Sequence, residues 1–336
     1  MRGGNRGGIA SLFHQKGCFH RCHGIGNVLP FLIMSRILLI ANKNWEVEPI
    51  LNAILNAQIR VPALPLPDKL HYPWTFEQGT AQPRAVWSSL SGTTVELWCV
   101  QDIMDPKWNS SSSQGKHEDL PKILGFSPIQ PSLVIALGTA SSGTDENING
   151  CVVMGSNVFI HNYHPGGTNK DSQWDDPVHF EKLIPSSVKP GFFDSFPTSM
   201  LQSAQKSLLR PFLHPSDKIQ LIINKDFVAV GTVNVTNYNE YGLSDPAAMA
   251  AFKKANISQP VGSAETTHGV IRLMCDAPFV FMSGITDRFK QFDTDVDGVD
   301  FQGNVKTTAQ NFTAAFNIGV ALSCLLPQIA ETGAFL

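Results

Sequence analysis

The stretch Leu133-Val-Ile-Ala-Leu-Gly-Thr-Ala-Ser-Ser-Gly143 opens on five consecutive apolar residues and closes on small, hydroxyl-rich ones. An unbroken apolar run suits a strand buried on both faces. The small residues after it let a ligand approach the backbone, whose N–H groups can cradle an oxyanion or a sugar oxygen. Residues 132–137 are therefore read as a strand, and 138–143 as the loop at its carboxyl end.

Working outward, residues 36–41 read as an earlier buried strand, followed by helical spacing from Glu46 to Leu55. Residues 94–100 form a further strand, 151–160 alternate like one, and 219–224 and 227–235 are two more joined at Lys225-Asp226. One helix is expected from Ser244 or Asp245, with Pro246 in its first turn, and another from about Ser263 to Met274. Residues 278–285 are again a buried strand, and 308–326 a long helix ended by Pro327. Its Gln310, Asn311 and Asn317 argue against a membrane span.

Apolar strands alternating with helices imply an α/β fold of three layers, with a central mixed, mostly parallel sheet flanked by helices. In such sheets ligands bind beyond the carboxyl ends of the strands, which directs attention to residues 42–46, 138–143 and Thr286-Asp287. Residues 72–83, 105–116 and 163–185, rich in Pro, Gly, Ser or charge, read as surface loops within a single domain spanning 34–336. Residues 1–33, rich in Gly, Arg and His, are expected to be a disordered extension or to precede the true start at Met34. A chain beginning at Met34 should keep its melting temperature and activity. A loss above about 1 kcal/mol would make the extension structural.

The net charge of −3 gives no global field favouring nucleic acid or an anionic membrane. Four of the six cysteines lie in apolar runs, the pattern of free thiols in a reducing compartment, so a cytoplasmic location is expected. His14, Cys18, His20, Cys22 and His23 lack a second ligand pair at zinc-finger spacing, and Asp293-x-Asp295-x-Asp297-Gly298 lacks the glutamate that closes a calcium loop, Asn304 standing there instead. No metal is expected.

Three carboxylates fall at predicted strand ends: Glu46, Glu265 and Asp287. Any one alone reads as a helix cap. Converging on one crevice, they would form the equipment for N-glycoside cleavage. The leaving base must be protonated, the ribose hydroxyls gripped, and a nucleophile guided onto an oxocarbenium-like carbon.

These residues carry a resemblance. Pro278-Phe-Val-Phe-Met-Ser-Gly-Ile-Thr-Asp287 resembles the strand that ends in Ile-Ser-Asp in nucleoside phosphorylases and methylthioadenosine/adenosylhomocysteine nucleosidases. Ala264-Glu265-Thr-Thr-His-Gly-Val-Ile-Arg-Leu-Met-Cys275 is similar to their Met-Glu helix, 37–48 to their opening strand and glutamate-rich turn, and 136–143 to their Gly-Ser-rich loop. Ala264 stands where the family usually carries a methionine.

The resemblance implies the family's fold, a nucleoside substrate, no cofactor and a homo-oligomer. It implies Asp287 as proton donor to the purine ring, Glu265 as the ribose-hydroxyl ligand, and Glu46 as the residue positioning the attacking water. Gly138 and Thr139 would line the anion or water pocket, and Phe227 and Tyr238 are candidates to stack on the base. Hydrolysis is favoured over phosphorolysis because residues 138–143 have no arginine nearby and Lys43 is the only cation in the loop after the first strand. A phosphate-dependent phosphorylase and a non-catalytic nucleoside-binding protein remain the alternatives.

Overall fold

Strand β1 (Ser35–Ala41) is buried along its whole length, as the sheet order requires, because it lies between two parallel partners. The computed structural model describes residues 35–56, 64–72, 75–164, 173–211, 213–235, 241–296 and 309–332. Residues 34–336 form one compact unit. The expectations for residues 1–33, including the possible zinc ligands there, lie outside the described residues.

After β1 come helix α1 (Asn44–Asn56), strands β2 (Lys69–Leu70), β3 (Ala85–Leu90) and β4 (Thr93–Cys99), and three short helices, α2 (Val100–Ile103), α3 (Ser113–Asp119) and α4 (Pro121–Gly125). Strands β5 (Leu133–Ser142), β6 (Val152–Gly155), β7 (Asn157–Asn162) and β8 (Leu183–Ile184) precede α5 (Thr198–Ser207). Then follow β9 (Leu221–Ile223), β10 (Val228–Val233), α6 (Tyr241–Lys254), β11 (Val261–Glu265), α7 (His268–Arg272), β12 (Phe279–Asp287), α8 (Phe292–Asp295) and α9 (Ala309–Thr332).

The strands make one mixed sheet in which β4, β1, β5 and β12 run parallel. Residues of α1 and α9, among them Ile50, Ile54, Ile318 and Leu322, pack on one face of it. Residues of α2, α4 and α7, among them Ile103, Ile123, Val270 and Ile271, pack on the other. That is the expected three-layer α/β arrangement. Beyond β5 the sheet also closes on itself, through β11, β10, the β7–β6 stretch and β12 back to β5.

The decisive strand is longer than its apolar run. Residues 138–142 continue β5 instead of forming a loop, because β12 pairs alongside them as far as Asp287 and Ser141. On its other edge β5 changes partner. β1 pairs with residues 133–137, and β11 joins antiparallel only at Ser141 and Ser142. Between them, at 138–140, the sheet forks.

Three further expectations change. Glu265 ends a strand, and the helix after it is five residues long, so the helix expected over 263–274 is mostly strand and turn. Helix α6 starts at Tyr241 and contains Pro246 within it. Helix α9 runs through Pro327 to Thr332, its last turn held by the buried Ile329 and Ala330. It is long and apolar enough to cross a membrane, but most of it is buried inside this fold.

Candidate active site

The fork in the sheet leaves backbone groups of β5 without a ladder partner, and buried N–H groups require one. Glu46 supplies it. Its Oε1 accepts the Thr139 N–H at 2.8 Å and the Thr139 hydroxyl at 2.8 Å. Its Oε2 accepts the Lys43 N–H at 2.9 Å, the reach-back of a third-position glutamate to the residue capping its own helix. A side chain that caps α1 thus also fills the gap between β1 and β11. Burial raises the pKa of Glu46, opposed by these hydrogen bonds.

Glu265, at the end of β11, is anchored on one side only. Oε2 accepts the N–H groups of Thr267 and His268, the latter at 2.8 Å, at the start of α7. Oε1 is buried without a protein partner and lies 3.5 Å from where a Gly231 Cβ would stand. His268 Nδ1 is 3.8 Å from Oε1. Gly138 adds the third side: a Cβ there would meet His268 Nε2 at 3.3 Å and Glu46 Oε1 at 3.5 Å.

Asp287 closes β12 three residues further along β5, about 10 Å from Gly138 at the rise of a strand. It is 1% exposed, accepting the Ser141 hydroxyl at 2.6 Å and the Thr286 hydroxyl at 2.6 Å. Burial pushes its pKa up to about 6. Asp245, from the first turns of α6, stands on the other side of Ser141, 3.4 Å from its Oγ. Burial and then the Asp287 charge push Asp245 up to about 7, with Glu265 adding to the shift.

Two lysines balance the carboxylates. Lys43 Nζ donates to the Ser110 carbonyl at 2.5 Å, and burial lowers its pKa to about 8. Lys116, on α3, is 2% exposed and donates to Thr267 Oγ1 at 3.0 Å. Burial and then Lys43 lower it to about 7, while Glu265 and Glu46 act to raise it.

The structure thus brings together Glu46, Glu265, Gly138 and Thr139, with Asp287 on the neighbouring β12, opposite Ser141. It does not bring Phe227 there. Phe227 precedes β10, four residues or about 13 Å of strand from Gly231. Its Cβ packs against Gly155 and Gly262, because the bend from β6 to β7 needs an apolar filler. Tyr238 lies outside the described residues. Sequence reading missed Lys116, His268 and Asp245. The 105–116 segment, expected as a surface loop, folds in part into α3 with Ser113, Gly115 and Lys116 buried, and Trp108 packs on Gly115. Lys116 therefore joins Lys43, the one cation of the loop after β1, beside these carboxylates.

Among the described residues, no group of three or more His, Cys, Asp or Glu side chains is arranged to hold a metal. Asp295, from the calcium-like motif, is committed to Arg288 and to Asn149 Nδ2 at 2.9 Å. The four described cysteines are free, three buried and Cys275 partly so.

Raised carboxylate pKa values carry a stability signature. Asp245 binds its proton more tightly folded than unfolded, so its contribution is present below about pH 4 and lost as pH rises through about 7. Asp245→Asn should therefore be more stable than the parent at pH 8, on the order of 1–3 kcal/mol, with the difference shrinking at pH 4. Thermal melts at the two pH values check this; an equal difference at both would contradict it.

The class defined by this architecture is a three-layer α/β fold with buried carboxylates gathered at a fork in its central sheet. No protein-family profile matches the chain, and no curated protein sequence does. Similar solved structures include the 5′-methylthioadenosine/S-adenosylhomocysteine nucleosidase from Neisseria meningitidis in complex with methylthio-immucillin-A. It is 14% identical, with 88% of this chain and 99% of that chain covered and a TM-score of 0.46. The nucleosidase of the same name from S. pneumoniae is 11% identical, covering 88% and 99%, with a TM-score of 0.46. A futalosine hydrolase mutant from Helicobacter pylori is 12% identical, covering 89% and 100%, with a TM-score of 0.44.

Proposed function

We propose that this protein is an enzyme that hydrolyses the N-ribosidic bond of a purine nucleoside. The observation that carries the reading is the half-anchored carboxylate of Glu265. Two backbone N–H groups hold Oε2 in place, while Oε1 keeps its acceptor positions free in a buried setting. One carboxylate oxygen with two open acceptor directions matches the adjacent pair of hydroxyls on ribose. Asp287, with a pKa near 6, is the acid that protonates the leaving base, and Glu46 directs the attacking water. Three donors already occupy Glu46, which leaves about one of its four acceptor positions for that water.

Charge balance favours water over phosphate. Lys43 and Lys116 are offset by Glu46 and Glu265, so the crevice offers an incoming dianion no excess positive charge. The chemistry needs no metal or organic cofactor. With α9 packed into the fold, we read the enzyme as soluble and cytoplasmic, as its free thiols suggest.

The test is a panel of purine nucleosides incubated with and without inorganic phosphate, with the released base and sugar identified. Free ribose at a phosphate-independent rate is expected. A sugar 1-phosphate would move the assignment to phosphorolysis, and tight binding without turnover would make the protein a nucleoside binder. The pH profile gives a second check. The acid must carry its proton, so kcat/KM should fall about tenfold per unit above the range from about 6 to about 7 set by Asp287 and Asp245. A rate still rising above pH 8 would contradict the assignment of Asp287.

A further inference from the structure

His268 is the buried group for which the scheme above has no use. It opens α7, is 1% exposed, and has no partner at either ring nitrogen. Its ring lies against Phe281, with centroids 5.6 Å apart and planes at 27°. An apolar side chain would pack there equally well, and leaving a buried polar group unpaired costs on the order of 1–3 kcal/mol. The ring is not merely filling space.

Its surroundings give it a direction. Because residue 138 is glycine, His268 Nε2 and Glu46 Oε1 close in on the same point of β5, each within 3.5 Å of where a Cβ would stand. The other ring nitrogen, Nδ1, points toward Glu265 Oε1 at 3.8 Å. A carboxylate beside Nδ1 favours the tautomer with its proton there, leaving the lone pair on Nε2, the nitrogen nearer Glu46. The charged groups around the ring are Glu46 on α1, Glu265 on β11, Lys116 on α3 bonded to Thr267, and Lys43 beyond β1.

We propose that His268 is a further catalytic residue, whose Nε2 takes the proton of the water that Glu46 holds. The inference rests on the hydrolytic reading. As the water oxygen bonds to the anomeric carbon, the carbon–nitrogen bond breaks and its electron pair passes to the purine. Asp287 gives its proton to the purine and is left as carboxylate, while Nε2 receives the proton from water and becomes part of an imidazolium. Return of one proton from His268 to Asp287 through solvent restores the resting enzyme. The imidazolium forms between Glu46 and Glu265, which stabilise it, whereas Glu46 is already engaged by three donors.

The test compares the full chain with His268→Gln, which keeps a hydrogen-bonding side chain but cannot accept the proton. With a purine nucleoside as substrate, kcat should fall about 10²–10³-fold while KM changes little. A variant with parental kcat overturns the proposal and leaves the hydrolytic reading standing. A parent protein that releases no base from any purine nucleoside removes both. Should that variant fail to fold, His268→Asn, smaller and equally unable to accept the proton, decides by the same split of kcat from KM.

Discussion

Asp287→Asn is expected to lower kcat by about 10²–10⁴-fold, the range that general acid catalysis supplies. A purine leaves poorly as an anion, so in the proposed reaction delivery of a proton to its ring dominates the barrier, by about 3–5 kcal/mol. The substitution isolates that proton. Asn keeps the volume of the side chain and a carbonyl oxygen for the Ser141 or Thr286 hydroxyl, while its amide has no proton of suitable acidity. Folding should survive, since the variant removes a carboxylate whose ionised form is disfavoured by burial. The measurements are kcat, the affinity for the released base, and the melting temperature. Glu265→Gln should behave differently, weakening substrate binding together with turnover, because contacts to ribose exist before the reaction and strengthen during it. If Asp287→Asn turned over normally or unfolded, the aspartate would be a structural cap of β12.

Gly319→Ala should cost about 3 kcal/mol or more, beyond an ordinary overpacking effect. Helix α9 crosses α1 so closely at this point that a Cβ would stand 2.3 Å from the Ile50 carbonyl oxygen and 2.7 Å from the Ala53 Cβ. Both obstacles are rigid. The first is backbone, and the second is a β-carbon that no rotamer change can move. Relief therefore requires the helices to separate, and the core of Ile50, Ile318 and Leu322 beneath them would lose its packing. Gly242→Ala on α6 is the control, with nothing within 4 Å of the added atom and an exposed position. It should be neutral or gain up to about 1 kcal/mol from helix propensity. Denaturant titration of the two variants makes the comparison. A Gly319→Ala loss below about 1 kcal/mol would mean that the α1–α9 crossing is looser than described.

The strands were the legible part of the fold. Residues 36–41 and 278–285 are runs too apolar to be anything but buried, and each appears as a strand with both faces covered. Their ends were less legible, for a reason visible at residues 138–142. Small hydroxyl residues have no strong preference of their own, and this stretch stays extended because β12 offers ladder bonds as far as Ser141. Glu265 misled in the same way. Its local sequence has helical character, yet parallel pairing with Gly231 on β10 makes it the end of a strand. Pro327 marks a helix end by local rules, and burial of the turn beyond it overrides them.

By itself the sequence determined the order of buried strands, the α/β class, and the position of Asp287 at the end of one strand and of Glu46 just beyond another, because apolar runs and their termini are local properties of the chain. Which side chains would meet was decided only in three dimensions. Thr139 receives Glu46 from 93 residues away because a fork in the sheet leaves its N–H without a strand. Lys116 reaches Thr267 across 151 residues, from a segment whose composition suggested only a surface loop. Asp245 faces Asp287 through Ser141, and His268 and Glu46 both close in on Gly138. Charge, hydrogen bonding and close approach act over a few ångströms, and the distance that separates these groups along the chain carries no trace of them.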